Sequence, residues 1–235
     1  MQKNNNALAE LIFTIVLPVI ILNKLSNYFG ANGPTIALLV ALSFPVSFFL
    51  FNFYQTKKVS IVSILGFINI LLTGSFALFQ LNGQWYAIKE MLIPLLIGLG
   101  IFYTSFTDKT IVGRFFANKN FINQDLLNEK LEENNSHAEF KKGLKSLTKF
   151  LALTFFVSSA INYVLTVNII TDLPQTLSNE AQLQLRNEQI AELTWKSYFV
   201  ILAPMLGMIV FAMWQANKLL QKCINLGFEQ VIKNK

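Results

Sequence analysis

The chain has 235 residues, of which 53% are hydrophobic and only 14% are charged, whereas ordinary soluble domains carry about 25% charged residues. This composition excludes a typical soluble globular domain. The net charge of +6 does not indicate nucleic-acid binding, because the basic residues lie beside apolar segments rather than along one soluble face. The single cysteine, Cys223, excludes an internal disulfide, and we expect a reduced thiol near a cytoplasmic C-terminus.

Six apolar segments are each long enough to cross a bilayer, because a hydrocarbon core of about 30 Å needs about 20 helical residues. Backbone groups in lipid must bond within their own segment, so each segment should be a helix. We therefore predict an all-α fold, a polytopic membrane helix bundle that forms a single membrane domain over residues 1–235. The predicted spans cover residues 8–27, 34–54, 59–80, 86–106, 148–170 and 195–216.

The basic residues orient this bundle. If the N-terminus lies inside, the inner segments hold most of the 19 Lys and Arg residues. The outer connections hold only Lys24 and Arg186, while Lys89 and Lys196 lie at or within outer span ends. We therefore expect both termini to be cytoplasmic.

The predicted cytoplasmic connection, residues 107–147, is rich in Asn, Lys and Glu. Its apolar residues recur at near-helical spacing: Phe121, Ile122, Leu126, Leu127 and Leu131. This pattern predicts a short amphipathic helix, which either lies along the inner membrane surface or packs under the bundle. A solvated helical hairpin with no lipid role is an equal alternative.

The predicted periplasmic connection, residues 171–194, carries four acidic residues against one arginine. These residues are Asp172, Glu180, Glu188 and Glu192, with Arg186 as the only basic group. Because the segment is so polar, we expect it to be partly helical and solvent-facing.

Signals for catalysis are nearly absent. The chain has no G-x-S-x-G, no Walker loop, no H-E-x-x-H and no Cys or His cluster. The only histidine, His137, stands in the polar inner connection, where a solvated side chain is the simplest interpretation. We expect no catalytic residues, no metal site and no cofactor, and therefore no enzyme.

Polar side chains inside the predicted spans form the candidate intramembrane site, because such groups are costly in lipid and often functional. They are Lys24, Asn69, Lys89, Glu90, Asn162 and Lys196. By depth, Glu90 can pair with Lys89, Lys24 or Lys196, and the surplus of lysine would favour an anionic ligand. In the alternative interpretation, exposed lysines only reach toward the interface and the asparagines only hold helices together.

Two predicted spans share a spacing. Trp85 lies nine residues before Pro94, and Trp195 lies nine residues before Pro204. Both spans run from outside to inside, so the match could record a parallel repeat of the kind that some transporters carry. Chance is the other explanation, because Trp at interfaces and Pro within spans are each common.

The chain resembles an uncharacterised family of bacterial six-span inner-membrane proteins related to intracellular septation protein A. The fourth span of that family and the turn after it are similar to W-Y-A-I-K-E-M-L-I-P-L-L-I-G-L-G (85–100) and T-S-F-T-D-K-T-I-V-G-R-F-F (104–116). Its last two spans are similar to S-A-I-N-Y-V-L (159–165) and T-W-K-S (194–197), and its first two to L-P (17–18) and F-P (44–45). Lys109-Thr110 replaces the basic-Pro turn of the family.

The resemblance implies a multi-pass protein of the bacterial inner membrane, without any catalytic residue that could be carried over. Our leading expectation is a non-enzymatic protein that supports cell-envelope biogenesis or septation. Its expected partners are envelope or division proteins and membrane lipids, anionic at the cytoplasmic face. The alternative is a small transporter or channel for a small anionic or lipid-like solute, acting as a homodimer because six spans are few for a transport path.

Overall fold

The computed structural model describes residues 12–25, 28–56 and 61–232, and these ranges are largely helical. Ahead of the long helices lie a π-helical turn, Ile12–Val16, and a 3-10 turn, Gly30–Asn32. The α-helices are α1 (Leu17–Lys24), α2 (Gly33–Thr56), α3 (Ile61–Leu78), α4 (Gly83–Thr104), α5 (Ile111–Phe116), α6 (Gln124–Glu133), α7 (His137–Ile169), α8 (Asn179–Ile224) and α9 (Phe228–Val231). Within the described ranges, β pairing is limited to an isolated bridge between Ile122 and Ile232.

Among the described residues, four helices are long and apolar enough to cross a membrane: Gly33–Gln55, Gly83–Thr104, His137–Ile169 and Asn179–Ile224. They contain most or all of the predicted spans 34–54, 86–106, 148–170 and 195–216. The all-helical class is therefore confirmed, together with four helices of membrane length and composition.

The other two predicted spans are not confirmed. The helix α3 corresponds to the predicted span 59–80 but is not among the four membrane-length helices of the described residues. The first predicted span, 8–27, includes residues 8–11, 26 and 27, which lie outside the described residues, and α1 has only 8 residues.

The chain divides into two compact units, one made of residues 1–91 and 161–201, the other of residues 92–160 and 202–235. The described residues of the first unit bury a core that draws on α1, α2, α3, α4, α7 and α8. Its buried members are Leu22, Leu38, Ala41, Ala77, Tyr86, Ile169, Ile170, Leu183, Ile190, Ala191 and Leu193.

This core corrects the expectation for residues 171–194. From Asn179 onward they form the first turns of α8, and one face of those turns is buried, so the prediction that the segment faces solvent is wrong for that face. The non-helical connection between α7 and α8 is confined to residues 170–178. Helix periodicity explains the burial, because Leu183, Ile190 and Leu193 recur on one side of α8.

The second unit packs around the C-terminal segment. Its core consists of Phe116, Ile122, Leu127, Leu131, Phe140, Leu220, Cys223, Ile224 and Val231. The predicted amphipathic helix exists in part as α6, which contains Leu126, Leu127 and Leu131 but begins after Phe121 and Ile122. The Asn123 side chain accepts from the amide of Leu126 at 3.3 Å as the N-cap of this helix. Its apolar face, with Leu127 and Leu131, packs against this core, so that face is not open to lipid or solvent.

The end of α8 is held by side chains from the segment between α6 and α7. Ser136 Oγ donates to the carbonyl of Cys223 at 2.7 Å, and Asn134 Nδ2 donates to the same oxygen at 3.0 Å. The last carbonyls of a helix lack intrahelical partners, and these bonds supply them. Cys223 itself is a free, buried cysteine, in agreement with the expected absence of an internal disulfide.

Gly83 begins α4 at a close backbone approach. A Cβ atom at this position would lie 2.0 Å from the carbonyl oxygen of Ile170, a backbone atom that no rotamer change can move. The amide of Gly83 also donates to Asp172 Oδ1 at 3.3 Å. Only glycine lets the start of α4 pack this closely against the connection after α7.

We therefore expect Gly83→Ala to lower the free energy of unfolding by about 2 kcal/mol or more, because the backbone must shift to relieve the clash. Gly100→Ala in the same helix is the matched control, since no atom lies within 4 Å of its added Cβ. That control should be neutral or stabilising by at most about 1 kcal/mol. Unfolding in detergent, followed by tryptophan fluorescence, measures both, and equal midpoints for the two variants would contradict the close packing.

Candidate functional site

Three of the predicted polar residues meet between α3 and α4. Lys89 lies on α4 with only 4% of its side chain exposed. Its Nζ donates to Asn69 Oδ1 at 2.9 Å, to Thr73 Oγ1 at 2.6 Å and to Glu90 Oε1 at 2.6 Å. The sequence predicted Asn69, Lys89 and Glu90 as site residues, and Thr73 completes the cluster. We call these four residues the lysine cluster.

Helix geometry explains how α3 supplies two acceptors. Asn69 and Thr73 are four residues apart, so they lie on the same face of the helix. The Thr73 hydroxyl donates its proton to the backbone carbonyl of Asn69 at 2.8 Å. Its oxygen lone pairs are therefore free to accept from the ammonium group of Lys89.

The contacts of Lys89 use its full hydrogen-bonding capacity. An ammonium group has three N–H donors and no acceptor, and three acceptors lie within hydrogen-bonding distance. A buried cation must be paired to be tolerated, and Glu90 supplies the opposite charge while 24% of its own side chain stays exposed. An anionic ligand would have to break one of these bonds to reach the ammonium.

The remaining predicted site residues are not part of the lysine cluster. Lys196 pairs with Glu192 one turn earlier on α8, at 2.5 Å, and both side chains are about half exposed. Lys24 is exposed at the end of α1. Asn162 is half-buried on α7, where its backbone carbonyl accepts from Thr166 Oγ1 at 2.7 Å. The pairing of Glu90 is thus with Lys89, one of the three partners considered from the sequence.

A second buried cation, Arg186, was not among the predicted site residues. It is fully buried on α8 and its guanidinium donates to the carbonyl of Thr171 at 3.1 Å, to Gln189 Oε1 at 2.8 Å and to the carbonyl of Leu81 at 3.0 Å. The guanidinium also stacks over the ring of Tyr86, 5.1 Å from its centroid. Arg186 thus ties α8 to the turn before α4 and to the connection after α7.

The next residue anchors another helix. Asn187 is fully buried, and its Nδ2 donates to the carbonyl of Pro34, at the start of α2, at 2.8 Å. Three atoms of this region are buried without a hydrogen-bond partner among the described residues: Tyr86 Oη, Arg186 Nε and Asn187 Oδ1. Each carries a desolvation cost that the surrounding core must outweigh.

The sequence holds a signal that would have found Arg186. Leu183, Arg186, Asn187 and Ile190 follow the three- and four-residue spacing of one helix face, so the arginine lies within an apolar stripe. Counting the acidic residues of the segment conceals this stripe, although Glu188 and Glu192 lie on the other, exposed side of α8.

Metal-binding geometry is not evident among the described residues. Within them, no group of three or more His, Cys, Asp or Glu side chains is placed to hold a metal ion. No protein-family model, curated protein or solved structure matches the chain.

The lysine cluster predicts an unequal response to single and double substitution. Lys89→Met should cost about 2 kcal/mol or more, because it leaves Asn69, Thr73 and a partly buried Glu90 without their donor. Lys89→Met combined with Glu90→Gln should recover part of that loss, since no carboxylate is then left unpaired. Unfolding in detergent followed by tryptophan fluorescence measures all variants.

The matched control is Lys196→Met, which removes an exposed pair with Glu192 and should change stability by at most about 0.5 kcal/mol. If Lys89→Met were as mild as this control, or if adding Glu90→Gln made it worse, the cluster would not be a closed, charge-matched unit.

Proposed function

We propose that this protein is a non-enzymatic integral membrane protein that supports cell-envelope biogenesis or septation through contacts with proteins or lipids. The observation that supports this proposal is the closure of the lysine cluster: its buried ammonium is fully bonded to its own chain. A group saturated in this way holds helices together and offers nothing to a solute. The link to the envelope and to septation comes from the sequence resemblance alone.

The apolar exterior supports a role in contacts. No described residue in the most apolar stretch of α8 is buried within the chain. Large side chains along it are exposed, including Phe199 at 60%, Val210 at 66% and Trp214 at 48%. Such a surface needs lipid or another protein against it.

The proposed topology has six spans in a bacterial inner membrane, with both termini and the connection 107–147 in the cytoplasm. The four membrane-length helices supply most of these spans. The helix α3 would supply another, since its 18 residues, IVSILGFINILLTGSFAL, carry no charge. The concentration of lysine in the proposed inner segments supports the orientation.

One observation favours a second candidate, a small transporter or channel working as a homodimer. Lys89 and Glu90 are charged groups on a membrane-length helix, a setting in which such residues often mark a solute path. For that role, the ammonium would have to exchange at least one acceptor of the lysine cluster for the solute.

One pair of measurements separates the two candidates, using cells that lack the protein and the double variant Lys89→Met/Glu90→Gln. We expect loss of the protein to alter envelope integrity or cell shape, and crosslinking in intact cells to capture an envelope or division protein. Because the double variant removes both charges together, it should still restore the cells. Proteoliposomes of the wild-type protein should show no flux of small organic anions above protein-free liposomes.

An unchanged envelope in cells that lack the protein, with no crosslinked partner, would remove the basis of the leading proposal. Flux that the double variant abolishes would establish the transporter instead. The control variant Lys196→Met, whose pair is exposed, should behave as wild type in both measurements.

A further inference from the structure

An apolar surface remains uncovered in the unit made of residues 92–160 and 202–235. Its members, which we call the aromatic surface, are Phe106, Ile111, Phe115, Phe121 and Ile232. Phe106 is 62% exposed, Phe121 is 55% exposed and Phe115 is 45% exposed. Phe115 and Phe121 are in ring contact, so this apolar area is more than single scattered residues.

The aromatic surface is preformed. The ring of Phe115 stacks on that of Phe121, with centroids 6.1 Å apart and planes 16° apart. It also stacks on the half-buried Phe228, at 6.4 Å and 14°. The bridge between Ile122 and Ile232 fixes the backbone beside this stack. Little conformational entropy is therefore lost when a partner covers these rings.

The aromatic surface begins where a membrane-length helix ends. The amide of Ile111, the first residue of α5, donates to Thr104 Oγ1, on the last residue of α4, at 3.2 Å. The end of α4 carries its own exposed aromatic residues, since Tyr103 is 72% exposed and Phe106 follows it. If α4 crosses the bilayer, this bond holds the start of α5 at the depth of the lipid headgroups, where aromatic side chains are favoured.

Exposed basic residues flank the rings. Lys109, Arg114 and Lys119 are all exposed between Phe106 and Phe121 along the chain. The nearby carboxylate of Asp108 does not neutralise them, because it pairs with Lys141 at 3.0 Å and Lys145 at 3.5 Å. Hydrogen bonding by Lys141 and the charges of both lysines hold the pKa of Asp108 below its ordinary value. Between Phe106 and Phe121 along the chain, the charges left without a partner among the described residues are therefore positive.

This surface shares only Phe121 with the amphipathic pattern that the sequence indicated. Ile122, Leu127 and Leu131 are each at most 3% exposed and pack in the core of their own unit. Phe115 and Phe121 instead remain exposed. Only the folded structure shows which apolar residues of the connection pack in the core and which stay exposed.

We infer that the aromatic surface inserts into the headgroup region of the same membrane and that Lys109, Arg114 and Lys119 select anionic lipid there. Apolar rings bordered by cations match a headgroup layer that has acyl chains below it and negative charge at its surface. This inference rests on the proposed function, since it assumes that the protein lies in a bilayer and acts through lipid or protein contacts.

The test uses the full-length protein in nanodiscs of phosphatidylcholine alone or of equal parts phosphatidylcholine and phosphatidylglycerol. An environment-sensitive fluorophore is attached to Phe121→Cys or, in a second variant, to Lys119→Cys. Cys223 is 1% exposed, so wild-type protein serves as the control for background labelling. Glu129→Cys, on an exposed position of α6, is the matched control for a label outside the aromatic surface.

We expect blue-shifted emission from both label sites in anionic nanodiscs, with quenching by lipids that carry a nitroxide near the headgroup. The Glu129→Cys label should stay in water and remain unquenched. Charge reversal at Arg114 should lower the ratio of inserted to solvated label by about five-fold in anionic nanodiscs, and much less in neutral ones.

Labels at Phe121→Cys and Lys119→Cys that stay in water would overturn the inference, as would equal quenching in neutral and anionic nanodiscs. Labels that are shielded but not quenched by the nitroxide lipids would assign the surface to a second copy or another protein, and would also overturn it. These outcomes leave the deletion and crosslinking results untouched, so failure of the lipid contact and failure of the proposed function are distinguishable.

Discussion

A buried cation has to find its acceptors within its own chain when the surroundings are apolar, and this requirement shapes the unit made of residues 1–91 and 161–201. Lys89 takes three acceptors from α3 and α4. Arg186 donates to two backbone carbonyls and one side-chain amide oxygen, which lie on three separate segments of the chain. Breaking either set would leave a charge without compensation, which costs far more than an exposed ion pair. The two cations therefore determine which helices of this unit must stay together.

The same requirement bears on function. A cation whose hydrogen-bond donors are all engaged stabilises the fold. Any role in solute passage would first require one of these hydrogen bonds to break. The exposed pairs, such as Lys196 with Glu192, carry no such constraint. The features without a partner inside the chain lie instead on its exterior. They are the long apolar helix surfaces and the aromatic surface with the basic residues that flank it. That distribution favours a protein that works by contact with its surroundings.

The sequence predicted the helical class and a span within each of four membrane-length helices, because hydropathy over about 20 residues reports the segments that can cross lipid. It could not give their full lengths. The helices α7 and α8 run for 33 and 46 residues, far beyond their predicted spans, because the polar turns that extend them are stabilised by tertiary packing. Residues 8–11, 26 and 27 of the first predicted span lie outside the described part of the chain.

The candidate site was predictable in part for a similar reason. Polar residues in apolar segments identified Asn69, Lys89 and Glu90, and the neighbouring Glu90 was among the partners considered for Lys89. Thr73 was missed because a threonine in a helix is unremarkable until its partner is known. Arg186 was missed because its segment was judged by net polarity rather than by helical spacing. The aromatic surface depends on which residues the C-terminal segment covers, and no local pattern reveals that.

The claim that a lipid bilayer surrounds most of this chain, with both ends on the cytoplasmic side, is tested most directly by reporter fusions in growing cells. A fusion after residue 130 and another after residue 175 probe the two long connections. The account predicts that green fluorescent protein is fluorescent and alkaline phosphatase inactive at the first position, and that the reverse holds at the second. Active alkaline phosphatase after residue 130, or recovery of the untagged protein in a detergent-free supernatant, would contradict it.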